Sequence, residues 1–350
     1  MKKEKSIKRT IIKICCIVLA VLLILALTAV ILWNIMLGGI KRIDPNEPTL
    51  SSEQVEDILK QTDPVDPNFT GPTLDDVTTP SDPAQTIPDG PNVVNILLVG
   101  QDRRPGQPRQ RSDAMVFCTI NFSQKTLTMT SIMRDMWLKI PGYYNQRINV
   151  PYAIGGFDLL NETLSYNFGI RADYNIEVDF NGFEKIIDAM GGVDITLTAK
   201  EAKYMNKHGT YGLIKDDDWQ MVEGVNKMTG MQALSYSRIR GIGDDFGRTN
   251  RQRTVLNALI LKAKNMNLYD ITALAGDLLP LITTDMSNAD ITNCIARLVP
   301  ILPELTVVSQ RIPMDGTYSN ARIKGNAVLV LDEDDMEKNR QLLIDTISEE

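Results

Sequence analysis

Residues Ala114–Ile132 read AMVFCTINFSQKTLTMTSI, two runs of apolar and β-branched residues on either side of the polar turn NFSQK. Runs of this length joined by so short a turn form a β-hairpin, with strands expected over Ala114–Asn121 and Thr126–Ile132. A third such run, Val93–Val99, precedes them. Beyond the hairpin, apolar residues recur at helical spacing over Phe157–Phe168, Phe180–Met190, Arg251–Met266, Asp290–Leu298 and Met336–Ile347. Further β-like runs lie at Ile176–Asp179, Val193–Leu197 and Leu305–Ile312. Alternating strands and helices predict an α/β fold, and an antiparallel hairpin within it makes the sheet mixed. The expectation is a layered α/β/α domain with a central mixed β-sheet over residues 93–350, preceded by one transmembrane helix and a disordered linker.

The span is expected over residues 14–37. Ile14–Ile35 is interrupted only by Thr28 and Asn34, and 22 residues at 1.5 Å each reach roughly 33 Å, enough to cross a bilayer. Residues 1–13 carry six basic side chains against Glu4, a balance of +5. Such a flank stays in the cytoplasm. The chain therefore reads as a single-pass cell-membrane protein, N-terminus inside and C-terminal domain outside. Residues 38–92 are rich in proline, aspartate, serine and threonine, a composition that buries too little apolar surface to fold on its own, although Glu53–Leu59 has the pattern of a short helix.

Taking the tail's +5 from the total of −7 leaves −12 for the exported part. That argues against nucleic acid as a partner, because binding it requires a net cationic face. Cationic charge is instead concentrated in Leu234–Arg253, LSYSRIRGIGDDFGRTNRQR, where Arg238, Arg240, Arg248, Arg251 and Arg253 stand beside Asp244 and Asp245. The stretch reads as a short β-like segment, Ser235–Ile239, then a glycine loop, then the start of a helix. Arginine in a first helical turn opposes the helix dipole, and a bound anion reverses that balance. A phosphate site is expected there, with Gln252 on the buried face and Arg251 at its border.

Other polar groups collect at strand ends, where open α/β sheets bind ligands: Asp102 after the first strand, Arg111 and Asp113 before the second, Arg134 after the third. Asp102 and Asp113 suit an oxygen-ligated cation such as Mg2+, which takes one or two carboxylates together with phosphate oxygens; Mn2+ serves the same ligand set. Aspartates in loops are also common turn formers. No Walker loop, no G-x-S-x-G and no thiol in a polar setting occurs, and the lone His208 lies in the polar stretch NKHGTYG. Phosphoryl transfer fits this inventory, since it depends on positioning and charge neutralisation. Cys118 and Cys294 lie in apolar stretches and read as two buried free thiols.

The strings NILLVGQDRR, RSDAMV, SIMRD, RINVPYAIGG, VDFNGFEKIIDAMGGVDI, SYSRIR and DFGRTNRQR, in this order over about Val93–Met266, resemble the LytR-CpsA-Psr family of cell-wall enzymes. The resemblance implies an extracellular phosphotransferase that moves a glycopolymer, such as teichoic acid or capsule, from a polyprenyl pyrophosphate carrier onto a muramic acid hydroxyl of peptidoglycan. It also implies an apolar pocket for the prenyl chain beneath the sheet. By match to the family's motifs, Asp102 and Asp113 bear on Mg2+. Arg111, Arg134, Arg238, Arg240, Arg248 and Gln252 hold the pyrophosphate, with Arg251 in the same motif, and Asp113 and Arg134 are the catalytic candidates. Two positions depart from the pattern: Met133 replaces a proline and Arg147 a lysine, which keeps the charge but not its geometry. A lipid-carrier sensor without chemistry and a lipid pyrophosphatase are the rival readings.

Overall fold

The computed structural model describes residues 32–43, 50–62, 71–75, 77, 79, 82–90, 92–103, 107, 109–209, 219–239, 242 and 245–348. In chain order its strands are β1 (Lys41–Arg42), β2 (Thr73–Leu74), β3 (Val93–Gln101), β4 (Ser112–Asn121), β5 (Thr126–Ile132), β6 (Trp137–Leu138), β7 (Gln146–Arg147), β8 (Tyr174–Asp179), β9 (Val193–Leu197), β10 (Gly224–Met228), β11 (Thr283–Thr284), β12 (Thr306–Ile312), β13 (Ser319–Ile323) and β14 (Asn326–Val330). The helices are α1 (Ser52–Lys60), α2 (Val150–Phe168), α3 (Phe180–Ala189), α4 (Ala199–His208), α5 (Gly230–Ser237), α6 (Asp245–Lys264), α7 (Leu268–Leu278), α8 (Asn288–Ile301) and α9 (Glu333–Ile347).

Seven strands form the central sheet in the order β1-β11-β8-β3-β4-β5-β12. The hairpin is there, β4 antiparallel to β5 with Val116 opposite Ser131, while β3 runs parallel to β8 and β12 parallel to β5. The sheet is therefore mixed. Alternation along β3 divides its side chains between two faces. Leu97 and Val99 pack with Leu160, Leu164 and Phe168 of α2 and Leu343 of α9. Ile96 and Leu98 pack instead with Leu256 and Ile260 of α6 and Leu298 of α8. Helices thus cover both faces, the layered arrangement expected.

Local chemistry starts several of the helices. Ser51 with Gln54, Thr198 with Glu201, Thr229 with Gln232 and Ser287 with Asp290 form reciprocal capping boxes at α1, α4, α5 and α8, each cap worth about 1 kcal/mol. The box at Thr229 overrides the β-like reading of Ser235–Ile239, whose first three residues close α5 as a helix. Val193–Leu197 is a strand as expected, but it pairs with β10 in a separate ribbon over a second core that includes Ile187, Ala233 and Val255. Two smaller sheets, β14-β13-β2 and β6-β7, complete the fold.

Parts of the expected linker are packed against the domain. β1 joins the sheet beside β11, Leu59 of α1 is buried against Ile140 and Val150, and Ile87 lies in the main core. Gly169, at φ +74, ends α2 so close to this segment that a Cβ would fall 2.1 Å from the Gln85 carbonyl oxygen. The composition argument fails for these stretches because each borrows apolar surface from the domain instead of burying its own. The tail at 1–13 and most of the span expected over 14–37 lie outside the described residues. Among the described residues no helix is long and apolar enough to cross a membrane. Cys118 and Cys294 are unpaired thiols. His208 closes α4 and stacks on Tyr204, ring centroids 4.3 Å apart.

Candidate active site

A cavity of about 140 Å3 opens between the sheet and helices α3, α5 and α6. Its interior is apolar: Leu98 and Val116 from the sheet, Phe180 and Phe183 from α3, Leu234 from α5 and Leu256 from α6. Its polar side, which is its mouth, carries the part-exposed Asp113 and Arg238 with the buried Ser237 and Arg248 and with Gln252 beside them. Apolar cavities near 150 Å3 stay dry and accept hydrocarbon. The arrangement joins an oily interior to a charged rim.

Helix α6 builds most of that rim. It begins at Asp245, six residues before the expected start, so Arg248, Gln252 and Leu256 fall on one face at four-residue spacing. The adjoining face carries Arg251, Val255 and Leu259 toward the second core. One helix between two cores explains why the apolar stripe assigned its faces imperfectly. Arg251, expected at the phosphate, is instead 5% exposed. Its Nη2 donates to the carbonyls of Ile239 (2.8 Å) and Ile242 (3.1 Å), and its Nη1 lies 3.5 Å from Glu201 Oε1. It thereby ties Ile239, the residue after Arg238, and Ile242 to the helix. Arg253, the fifth arginine of the stretch, stands away from the cavity beside Arg311 and Asp315; burial first, then Arg311, lowers its pKa.

Arg238 caps α5 and reaches two groups. Its Nη1 is 3.4 Å from Asp102 Oδ2, and its guanidinium lies 4.3 Å from the Phe180 ring centroid, a cation–π contact. Arg134 stands in a second group, with Nη1 3.4 Å from Asp113 Oδ1 and Nε 3.4 Å from Asp135 Oδ2. Asp135 is also 3.5 Å from Arg147 Nη1. Arg147 is 4% exposed, so the residue that departs from the family pattern sits behind Arg134 and pairs with the carboxylate that orients it. Unit charges about 4 Å apart interact by about 4 kcal/mol at an effective dielectric of 20, enough to hold both arginines in place.

The structure thus gathers Asp113, Arg238, Arg248 and Gln252 around one mouth, and joins Asp102 and Arg134 to it through ion pairs. Arg111 is not at the mouth: it donates to the Ile58 carbonyl of α1 at 2.6 Å, a contact created by the packed linker. Arg240 lies outside the described residues. Phe180, Phe183 and Ser237 had no role assigned from sequence; the two phenylalanines in VDFNGF, three residues apart, were the available sign of a helix presenting aromatic surface. Asp102 and Asp113 each accept from one arginine through a single oxygen, which leaves Asp102 Oδ1 and Asp113 Oδ2 as donors for a cation. Among the described residues no cluster of three or more histidine, cysteine or carboxylate side chains suits a metal ion, so two carboxylates require phosphate oxygens to complete such a site.

The layered α/β domain thus carries a largely apolar cavity whose lining also includes arginine, aspartate and glutamine. The model of the LytR_cpsA_psr family matches residues 63–345, and the chain belongs to the LytR-CpsA-Psr family. It is 30% identical over 261 residues to the regulatory protein MsrR of Staphylococcus aureus (strain COL), covering 73% of this chain and 75% of that one. It is 32% identical over 182 residues to the polyisoprenyl-teichoic acid–peptidoglycan teichoic acid transferase TagT of Bacillus subtilis (strain 168), covering 51% of this chain and 55% of that one. A solved structure of TagT with bound octaprenyl pyrophosphate lipid superposes with a TM-score of 0.57 at 25% identity, covering 78% of this chain and 99% of the other.

Proposed function

We propose that this protein is a membrane-anchored extracellular phosphotransferase that moves a glycopolymer from a polyprenyl pyrophosphate carrier onto a muramic acid hydroxyl of peptidoglycan. The observation that carries the reading is that one cavity joins a mostly apolar lining to Arg238, Arg248 and Gln252. The apolar lining offers a surface to the first unit of a prenyl chain and the polar side chains offer donors to a diphosphate. The relatives' names support the same chemistry, one a teichoic acid transferase and one structure holding octaprenyl pyrophosphate.

In this reading the guanidinium forks of Arg238 and Arg248 hold phosphate oxygens, and Gln252 donates from the same helical face as Arg248. The acceptor hydroxyl attacks the phosphorus attached to the sugar. The bond from that phosphorus to the bridging oxygen breaks, and polyprenyl phosphate departs with the electron pair. Arg134, held by Asp113 and Asp135, stabilises the charge spread over the equatorial oxygens. Asp102 and Asp113 are the residues that would hold Mg2+, which supplies further charge neutralisation at the diphosphate. Asp113 serves as its ligand or takes the hydroxyl proton, roles that the pH profile of an Asp113→Asn variant separates.

The test is transfer by the full chain in detergent, given a lipid-linked donor, peptidoglycan and Mg2+. Arg248→Ala should reduce phosphodiester product by at least about 100-fold, the loss typical when a group stabilising transition-state charge is removed. Wild-type rates in Arg248→Ala and Arg134→Ala would refute the assignment. Donor binding without product would identify a sensor, and glycan phosphate released without peptidoglycan a hydrolase.

A further inference from the structure

A second cavity, of about 280 Å3, lies on the opposite face of the sheet from the first. Glu177 and Val178 are consecutive in β8 and point to opposite faces; Val178 lines the first cavity and Glu177 the second. The loop after β3 divides in the same way, with Asp102 paired to Arg238 at the first mouth and Arg103 lining the second. The second cavity is cationic. Among the described residues Lys41, Arg42, Arg103 and Arg109 line it, against the one carboxylate of Glu177, which accepts from the buried Tyr152 hydroxyl.

This is a constructed site. The Arg109 guanidinium lies 5.6 Å from the Tyr152 ring centroid. It packs over Gly156, where a Cβ would fall 2.7 Å from Nη1; the backbone there has φ +63, which glycine tolerates. Arg42 is fixed by the Met286 carbonyl and the Asn288 side chain. Arginines fixed around a concave surface suit a phosphate.

Its position indicates which phosphate. Residues 32–38 are helical and continue the apolar run of the N-terminus. One side of this segment docks on the domain, with Leu37 and Ile40 packed against Met286 and Ile291 and Trp33 Nε1 donating to Thr292 Oγ1 at 2.9 Å. Leu32 and Ile35 remain 56% and 66% exposed. Only Gly38, Gly39 and Ile40 separate Leu37 from Lys41, at most about 14 Å of chain. We propose that the cavity lined by Lys41, Arg42, Arg103 and Arg109 binds the phosphate headgroup of an anionic phospholipid in the outer leaflet, fixing the domain against the bilayer. The inference rests on the anchored, outward topology of the preceding reading and is independent of the transfer chemistry.

The test is native mass spectrometry of the detergent-solubilised full chain titrated with phosphatidylglycerol, phosphatidylcholine, soluble glycerol phosphate and octaprenyl pyrophosphate. Phosphatidylglycerol should be retained over phosphatidylcholine and over glycerol phosphate. Each basic residue near an anionic lipid surface contributes about fivefold, so Lys41→Gln, at an exposed position, should weaken phosphatidylglycerol binding about fivefold. Arg103→Gln with Arg109→Gln should weaken it roughly 25-fold, with octaprenyl pyrophosphate retention and melting temperature unchanged. Arg248→Ala should show the opposite pattern. Equal retention of the two phospholipids, glycerol phosphate binding as tightly as the lipid, or indifference to both Lys41→Gln and the double variant would overturn the proposal. A chain that stays soluble without detergent would refute the anchoring instead, and failure to retain octaprenyl pyrophosphate would refute the transfer reading alone.

Discussion

Replacing Arg251 by alanine separates a structural arginine from a phosphate-binding one. Its guanidinium, 5% exposed, donates to two backbone carbonyls and lies 3.5 Å from Glu201. Removing one member of a buried ion pair costs about 3–5 kcal/mol, because the remaining charge is left without compensation. Against typical domain stabilities of about 5–15 kcal/mol, that loss should be plain in urea unfolding of the full chain in detergent. The free energy should fall by about 3 kcal/mol or more in Arg251→Ala. Glu201→Gln in the same background should restore part of it, since it removes the orphaned charge; the resulting double-mutant cycle measures the coupling. Arg251→Lys should be intermediate, keeping the charge but unable to bridge both carbonyls and Glu201. An Arg251→Ala protein of unchanged stability that has lost octaprenyl pyrophosphate binding would refute the structural role and return Arg251 to the phosphate.

Three other expectations are independent of that one. Leu256→Trp should fill the cavity and weaken octaprenyl pyrophosphate binding by about 4 kcal/mol, the burial of one five-carbon unit at about 0.8 kcal/mol per carbon, while a soluble pyrophosphate analogue still binds; isothermal titration with both ligands checks it. Burial, then the neighbouring Asp173, raises the pKa of Asp89 above its usual 3.8 despite the hydrogen bond from Asn95. The native state therefore takes up this proton at higher pH than the unfolded chain. The associated stability is present below 3.8 and lost as pH rises through the folded pKa, so Asp89→Asn should flatten the gain in unfolding free energy on acidification. Finally, burial pushes the Cys118 thiol up to about 12, so a thiol reagent should label Cys118 only after unfolding. Mass spectrometric peptide mapping should also find no bond between Cys118 and Cys294.

The sheet was legible from the sequence because its strands state their own period. The hairpin of β4 and β5 is local, and Val93–Val99 alternates between two apolar faces that the structure covers with different helices. Packing of the segment before β3 was not legible. Its proline-rich composition describes the segment in isolation, whereas Leu59 and Ile87 are buried by residues more than 60 positions later in the chain, such as Ile140 and Leu160. The same gap hid the role of Arg111, whose Ile58 contact depends on that packing. Within LSYSRIRGIGDDFGRTNRQR the motif put its arginines in one group and could not divide them between the cavity and the second core. Arg248 and Arg251 are three residues apart on one helix, and only the position of the second core sends one to the cavity and the other to Glu201.

The central claim is a diphosphate held at the mouth of an apolar cavity, and its location in a co-crystal with octaprenyl pyrophosphate tests that most directly. The account predicts phosphate density within hydrogen-bonding distance of Arg238, Arg248 and Gln252, with the prenyl chain running past Phe180, Phe183 and Leu256. A diphosphate bound elsewhere, or a prenyl chain lying outside the cavity while these side chains face solvent, would contradict it.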